Sequence, residues 1–309
     1  IMQRKIVVLL ACFLAFQYSI LRAEDKAASL DTQNQPFPQG SSLDEGNVPD
    51  WIKRTTIAVE AGTDTKSKYF LETIQPLFAT QDKGSVLFTQ ARVSGQDNRT
   101  LYNLGVGARR TFKDAYLLGT NIFYDYQDLH QHHRAGVGFE AMTDRGLEGR
   151  LNTYFKVSNI RQVEENAGGQ NFEEVANGLD WEIGGPLPYL NALKLYGGGS
   201  WYSFERFRNK YGWKMRAEYN PVKYSRVVFE VRDNNKRKSA AYRVECAITL
   251  AFSSFHPGDI LRDLKASKEA FPKINLKEKT LDRVVRDFDI TVIETTKQRG
   301  GLVVEAGRT

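Results

Sequence analysis

The sequence predicts an all-β fold, a twelve-stranded antiparallel transmembrane β-barrel with a short C-terminal helix and linker. Three observations carry that prediction. Between Thr55 and Phe252, large apolar and polar residues alternate with period two in about twelve segments separated by short turns. Charges of both signs fill one face of these segments, and aromatics gather near their ends. An export signal stands upstream. In one segment Tyr211, Trp213, Met215, Ala217 and Tyr219 alternate with Gly212, Lys214, Arg216, Glu218 and Asn220, giving one apolar face and one polar face. A soluble sandwich also alternates, so the charged second face, the aromatic ends and the signal decide for the barrel.

Residues 1–23 read as a cleavable signal peptide: Arg4 and Lys5 precede the apolar run Ile6 to Phe16, and Leu21-Arg22-Ala23 precedes Glu24-Asp25. That run is too short to cross a bilayer as a helix, and no stretch of 18 or more apolar residues exists, which excludes a helical membrane protein. Ile1 before Met2 reads as a literally translated or alternative start. Lipoprotein cleavage at Cys12 would leave only Ile6 to Ala11 as the apolar region, with Leu10 where a smaller residue is usual. With cleavage after Ala23, Cys246 is the one remaining cysteine and no intramolecular disulfide is expected. The net charge of +6 is modest for 309 residues and forms no clustered patch, so nucleic acid is not an expected partner.

Residues 24–50 are polar, carry no period and read as a flexible periplasmic lead-in to a barrel over residues 51–255. Strands are then expected at Thr55 to Gly62, Tyr69 to Phe78, Ser85 to Ser94, Thr100 to Phe112, Ala115 to Tyr126, His132 to Thr143, Leu147 to Val157, Gly178 to Gly185, Leu193 to Ser203, Tyr211 to Asn220, Ser225 to Asp233 and Ser239 to Phe252. Twelve is even, so both ends of the barrel lie in the periplasm. The connections agree. Lys113-Asp114, Asp144-Arg145-Gly146 and Asn220-Pro221-Val222-Lys223 fall on the periplasmic side, and the longest loop, Ser158 to Asn177, falls outside. Gly185 to Asn191, with Pro186 and Pro188, reads as a longer periplasmic turn.

The apolar face, from Leu87, Val93 and Leu104 through Ile122, Phe139 and Leu151 to Phe229, Val244 and Ile248, is expected to meet lipid. The other face carries Arg92, Arg109, Asn121, Asp125, Arg134, Glu140, Glu148, Arg150, Asp180, Lys214, Arg216, Glu218, Glu230, Arg232, Arg243 and Glu245. A cationic side chain facing lipid at the midplane costs about 2–4 kcal/mol, so these residues are placed on a polar lumen as a hydrated structural network. Gly105, Gly107, Gly119, Gly136 and Gly138 on that face would leave room for a lumen-filling segment or allow strand bending.

The stretches Tyr102 to Arg110, Leu118 to Asp125 and His132 to Glu140, with Leu87-Phe88-Thr89-Gln90 before them and Ala176-Asn177-Gly178-Leu179-Asp180 after, resemble the inverse autotransporter β-domain of the intimin and invasin adhesins in order and spacing. The resemblance covers roughly Thr55 to Phe252. It implies a twelve-stranded outer-membrane barrel of a Gram-negative-type bacterium, serving as translocator and anchor, whose C-terminal linker threads the pore towards an extracellular passenger. Membership would also imply outer-membrane lipid and lipopolysaccharide, the barrel-assembly machinery and periplasmic chaperones as partners. Three departures stand out: a lead-in too short for the peptidoglycan-binding module many members carry, Ala247 where the assembly signal usually has glycine, and about 57 residues after the barrel without repeated sandwich-like strands. Adhesion is therefore not expected to be encoded in this stretch.

The tail, residues 256–309, holds a predicted short helix over Asp259 to Ala270, broken by Phe271-Pro272. Leu281 to Ile293 follows, with Arg283, Arg286, Asp287 and Asp289 available to pair with the lumen. An extended chain covers about 3.3 Å per residue against a bilayer core of about 30 Å, so outward passage is feasible. A periplasmic tail beneath a porin-like channel or structural barrel fits the same residues. His130, His132 and His133 lie at an outer loop without cysteine or fixed carboxylates and read as a solvated strand start, not a metal site. Glu164-Glu165 and Glu173-Glu174 read as solvated loop charge. No catalytic arrangement, cofactor motif or nucleotide loop is recognised: Gly197-Gly198-Gly199 sits inside a strand pattern.

Overall fold

Period-two alternation sends successive side chains to opposite faces of an extended chain, and twelve such segments close on themselves. The computed structural model describes residues 49, 51–63, 66–166, 169–205, 208–220, 224–250, 267–298 and 303–308. The stretches expected to form the signal peptide and nearly all of the lead-in lie outside them. In chain order the strands are β1 (Thr55–Gly62), β2 (Lys68–Ala79), β3 (Ser85–Gln96), β4 (Arg99–Phe112), β5 (Tyr116–Gln127), β6 (His132–Thr143), β7 (Glu148–Lys156), β8 (Arg161–Asn166), β9 (Gly169–Val175), β10 (Asn177–Leu187), β11 (Leu190–Ser203), β12 (Lys210–Tyr219), β13 (Ser225–Asn234), β14 (Ala241–Thr249), β15 (Val292–Gln298) and β16 (Val303–Arg308).

β1 to β7 and β10 to β14 form the barrel, each paired antiparallel with its neighbours. The seam is β1 against β14, from Thr56 opposite Thr249 to Gly62 opposite Arg243. Closure satisfies the strand backbones on both sides, which is what lets a sheet sit in hydrocarbon. Large apolar side chains such as Leu104, Ile122, Phe139, Phe155 and Met215 point outward and are exposed. Turn chemistry helps fix the hairpins: between β4 and β5, Lys113 and Asp114, both at φ 51°, take the left-handed conformation of a type I′ turn that Ala115 N–H closes on the Phe112 carbonyl (3.0 Å). Pro76 sits at a register shift in β2, where the missing N–H breaks no regular ladder.

All twelve expected barrel strands are present, with ends moved by a few residues. β10 runs on to Leu187, so the expected turn at Gly185 to Asn191 shrinks to Pro188-Tyr189, and Pro186 is accommodated at a second register shift. Ala247, the departure from glycine, is buried against Ala58 and Phe70, where its methyl fills space.

One expectation is corrected: Ser158 to Asn177 is not an irregular loop. It contains β8 and β9, which join β15 and β16 in a four-stranded sheet of order β16-β15-β9-β8. These strands carry polar residues on both faces, so no alternation announces them, and partner strands create them. In the tail, residues 259–266 of the expected helix lie outside the described residues, and the rest of it, 267–270, is not helical. There Ser267 N–H donates to the Tyr189 carbonyl (2.7 Å) and Tyr189 N–H to the Ala270 carbonyl (3.0 Å), fastening the chain to the mouth formed by the short turns.

Candidate functional site

From that mouth the tail turns inward. Arg145 donates to the Phe271 carbonyl (2.8 Å) and Ile274 N–H to the Asp144 carbonyl (2.8 Å) before a 3-10 turn at Leu276–Lys279, capped by the Asn275 side chain on the Lys277 amide. Residues 280–291 then run through the lumen. Backbone groups there have left water and, outside any regular ladder, need side-chain partners. The barrel supplies them: Gln90 accepts from Val284 N–H (2.8 Å), Tyr154 Oη accepts from Asp287 N–H (2.9 Å), and Asn103 donates to the Phe288 carbonyl (3.1 Å). Arg109 donates to the Thr280 carbonyl (3.0 Å) and to that of Asp282.

The centre is Asp125 on β5, wholly buried. Arg286 of the tail meets it with two parallel hydrogen bonds, Nη1 to Oδ1 at 3.0 Å and Nη2 to Oδ2 at 2.8 Å. Arg134 Nε donates to Oδ2 from β6 at 2.8 Å, and Asn103 reaches Oδ1 at 2.8 Å. The two remaining nitrogens of Arg134 donate to the Asp287 and Asp289 carbonyls, each at 2.7 Å. One carboxylate thus holds a tail guanidinium, while a barrel guanidinium holds the tail backbone just after it. Fork-to-fork pairing of this kind is the strongest hydrogen bonding available to a buried charge.

The charged residues of the polar face pair with one another inside the barrel. Arg92 lies 3.5 Å from Glu72 and stacks over Phe70 and Phe288; Arg109 pairs with Glu140 at 2.6 Å. Arg150 and Lys194 meet Glu148, and Arg150 also meets Glu182 at 2.7 Å. Arg216 bridges Glu182 and Glu218, Lys214 approaches Asp180 and Glu182, and Arg243 joins Glu60 to Glu230, near Arg232. Asn121 is buried beside Gly138. Of the tail charges, Arg283 faces Glu245 (3.5 Å), Asp287 accepts from Tyr202 Oη (2.7 Å) and Asp289 pairs with Lys68.

The lumen is not only polar, which corrects the two-faced reading. Ile74, Val86, Phe88 and Phe123 project inward and pack against Val284 and Phe288 of the tail. Their signal lay in Val86-Leu87-Phe88 and Ile122-Phe123-Tyr124, where three apolar residues in a row put bulk on both faces. The glycines opposite make room: a Cβ on Gly107 would stand 2.4 Å from Phe88, and one on Gly136 would stand 2.7 Å from Arg286. Gln90, Asn103, Tyr154 and Tyr202 were missed because neutral polar and aromatic residues carry no charge signature.

At the opposite mouth Ala176 N–H donates to the Thr291 carbonyl (3.0 Å), and β15 pairs with β9 from Val292 opposite Val175 onward. Beside it His132, wholly buried, and His130 approach the same Glu173 oxygen at 2.6 and 2.8 Å. Burial would raise the Glu173 carboxyl, and the hydrogen bonds from His132 and His130 outweigh it and hold it low. The histidines and Glu173-Glu174 are therefore not solvated loop residues, because the β8–β9 hairpin folds over them. His133 is separate, with Nδ1 2.8 Å from Tyr124 Oη. The side chains of Glu164 and Glu165 lie outside the described residues.

A closed barrel with a lipid-facing apolar surface and its own downstream segment through the lumen defines an outer-membrane β-barrel protein. The chain belongs to the inverse autotransporter β-domain family, whose model matches residues 19–287. It is 31% identical to invasin of Yersinia enterocolitica over 198 residues, covering 63% of this chain and 23% of that protein. It is 30% identical to the inverse autotransporter adhesin YeeJ of Escherichia coli K12 over 154 residues, covering 48% of this chain and 6% of that protein. The chain thus spans a minor part of these relatives. A solved chain from a study of in-meso crystallisation of membrane proteins shares the fold at a TM-score of 0.61 and 21% identity, covering 77% of this chain and 98% of that one.

Proposed function

We propose that this barrel anchors the chain in the outer membrane and serves as the conduit through which its own C-terminal segment passes outward, that segment then remaining as the plug. The observation that carries the reading is the continuous path of the tail: fastened at the turn-side mouth, held at Asp125, and paired with β9 at the other mouth. Short turns mark the periplasmic side of such barrels, which makes the exit extracellular. The proposal includes no catalytic step. Lipid and lipopolysaccharide surround the apolar belt, and periplasmic chaperones and the barrel-assembly machinery deliver the chain. Planar-bilayer conductance tests it: the intact protein should pass little current, and removal of residues 267–309 should open a stable pore. An intact protein that conducts as well as the shortened one would turn the reading to a porin-like channel.

A further inference from the structure

His130, His132 and Glu173 come from two places far apart in the chain, the β5–β6 rim connection with the first residue of β6 and the hairpin strand β9, and converge without any role in holding the tail inside the lumen. One donor atom from each lies within 4.8 Å of the other two. His130 and Gln131 both adopt left-handed backbone, φ 60° and 52°, in that connection. Two imidazoles and a carboxylate are the donor set of three-ligand zinc sites, in which a fourth position stays open. A recess lined by Asp128, His130 and Arg161 opens beside His130.

We infer that His130, His132 and Glu173 form a binding site for a divalent transition-metal ion of the zinc class at the outer rim. Donors bonded to zinc at about 2.0–2.1 Å in a tetrahedron stand about 3.3 Å apart. Glu173 Oε2 now sits at hydrogen-bond distance from both nitrogens, so on metal binding each imidazole carries its proton on its other ring nitrogen and the oxygen withdraws by about 0.5–0.7 Å. His130, about a quarter exposed, has room to turn and complete the set, while His132 is fixed by burial. His132 Nδ1 has no hydrogen-bond partner among the described residues. Zinc sites lacking that outer contact are weaker by about 10–100-fold, so reversible binding is expected rather than a permanently held ion. The ion would tie the β5–β6 rim to β9, and through β9 to the emerging β15.

The test is zinc titration of the whole chain in detergent micelles by calorimetry, with cobalt absorption reporting the ligand geometry. One ion per chain is expected, at least tenfold weaker in His130→Ala and in Glu173→Gln and unchanged in a chain carrying both His133→Gln and His256→Gln. His130 is exposed enough that its replacement leaves folding intact, and retained barrel circular dichroism checks this in each variant. Absence of saturable binding would overturn the site. So would binding that survives His130→Ala and Glu173→Gln, or that disappears with the other two histidines, since the ion would then be adventitious.

Discussion

Arg286 is 1% exposed in its side chain and faces an Asp125 that is wholly buried, a position in which neither charge is tolerable alone. Removing one partner of a buried pair typically costs about 3–5 kcal/mol because the other is left uncompensated. The two sides of this pair are unequal, however. Arg286→Met leaves Asp125 with Arg134 and Asn103, whereas Asp125→Asn leaves two guanidiniums facing each other. Asp125→Asn should therefore be the more damaging change, and hydrogen exchange at the Val284 and Asp287 amides should report it as a larger loss of protection. The glycines divide in the same way. In Gly107→Ala the new methyl meets Phe88 at 2.4 Å and the Thr120 carbonyl at 2.9 Å, so the barrel wall itself is overpacked, by about 1–3 kcal/mol. In Gly136→Ala it meets the Arg286 guanidinium, so refolding into vesicles should be nearly normal while tail protection falls. At this scale the sequence showed which charges share a face, since period two fixes that, but not that Asp125 rather than Glu140 or Asp180 would take Arg286.

Among the elements, the barrel strands were legible because each must show one face to lipid and the other to the lumen. β8, β9, β15 and β16 were not, because a sheet standing clear of the membrane has no such requirement. The β9–β15 ladder is correspondingly separable from the barrel. Thr295→Pro removes a donor opposite Phe172, and should make β15 sensitive to protease at the outer mouth while heat resistance of the barrel on gels stays unchanged. The β2–β3 turn offers a pH test. Hydrogen bonds from Thr80 and from the Gly84 amide, with the charge of Lys277, hold the exposed Asp82 carboxyl below the usual aspartate range. A carboxyl lowered in the folded state adds stability above its ordinary range and loses that contribution as pH falls through its own lower value. A carboxyl NMR titration of Asp82 should therefore give a midpoint below that of a free aspartate, and Asp82→Asn should abolish the acid-side loss of amide protection in this turn.

For the whole molecule, a lumen densely paired with its own tail means that the barrel and the plug stabilise one another. A cavity of about 520 Å³ remains at the turn-side mouth, lined by Arg109, Glu140, Arg150 and Lys194 among others. The tail is tied to the wall further in, at Asp125, and Arg286→Met should raise conductance, though by much less than removal of residues 267–309. On the outer surface, Ile122→Lys should lower the stability of refolding into vesicles by about 2–4 kcal/mol, as for any cation on the lipid face near the midplane.

The sequence alone determined the number of barrel strands, the face on which each charge lies and the capacity of the tail to cross, because the bilayer imposes a period and a length that residues must obey. Only the tertiary structure decided that the tail occupies the lumen, that Val284 and Phe288 settle on inward-facing aromatics, and that Glu173 is carried to His130 and His132. These are contacts between segments distant in sequence, and shape, depth and distance choose among many partners of matching charge.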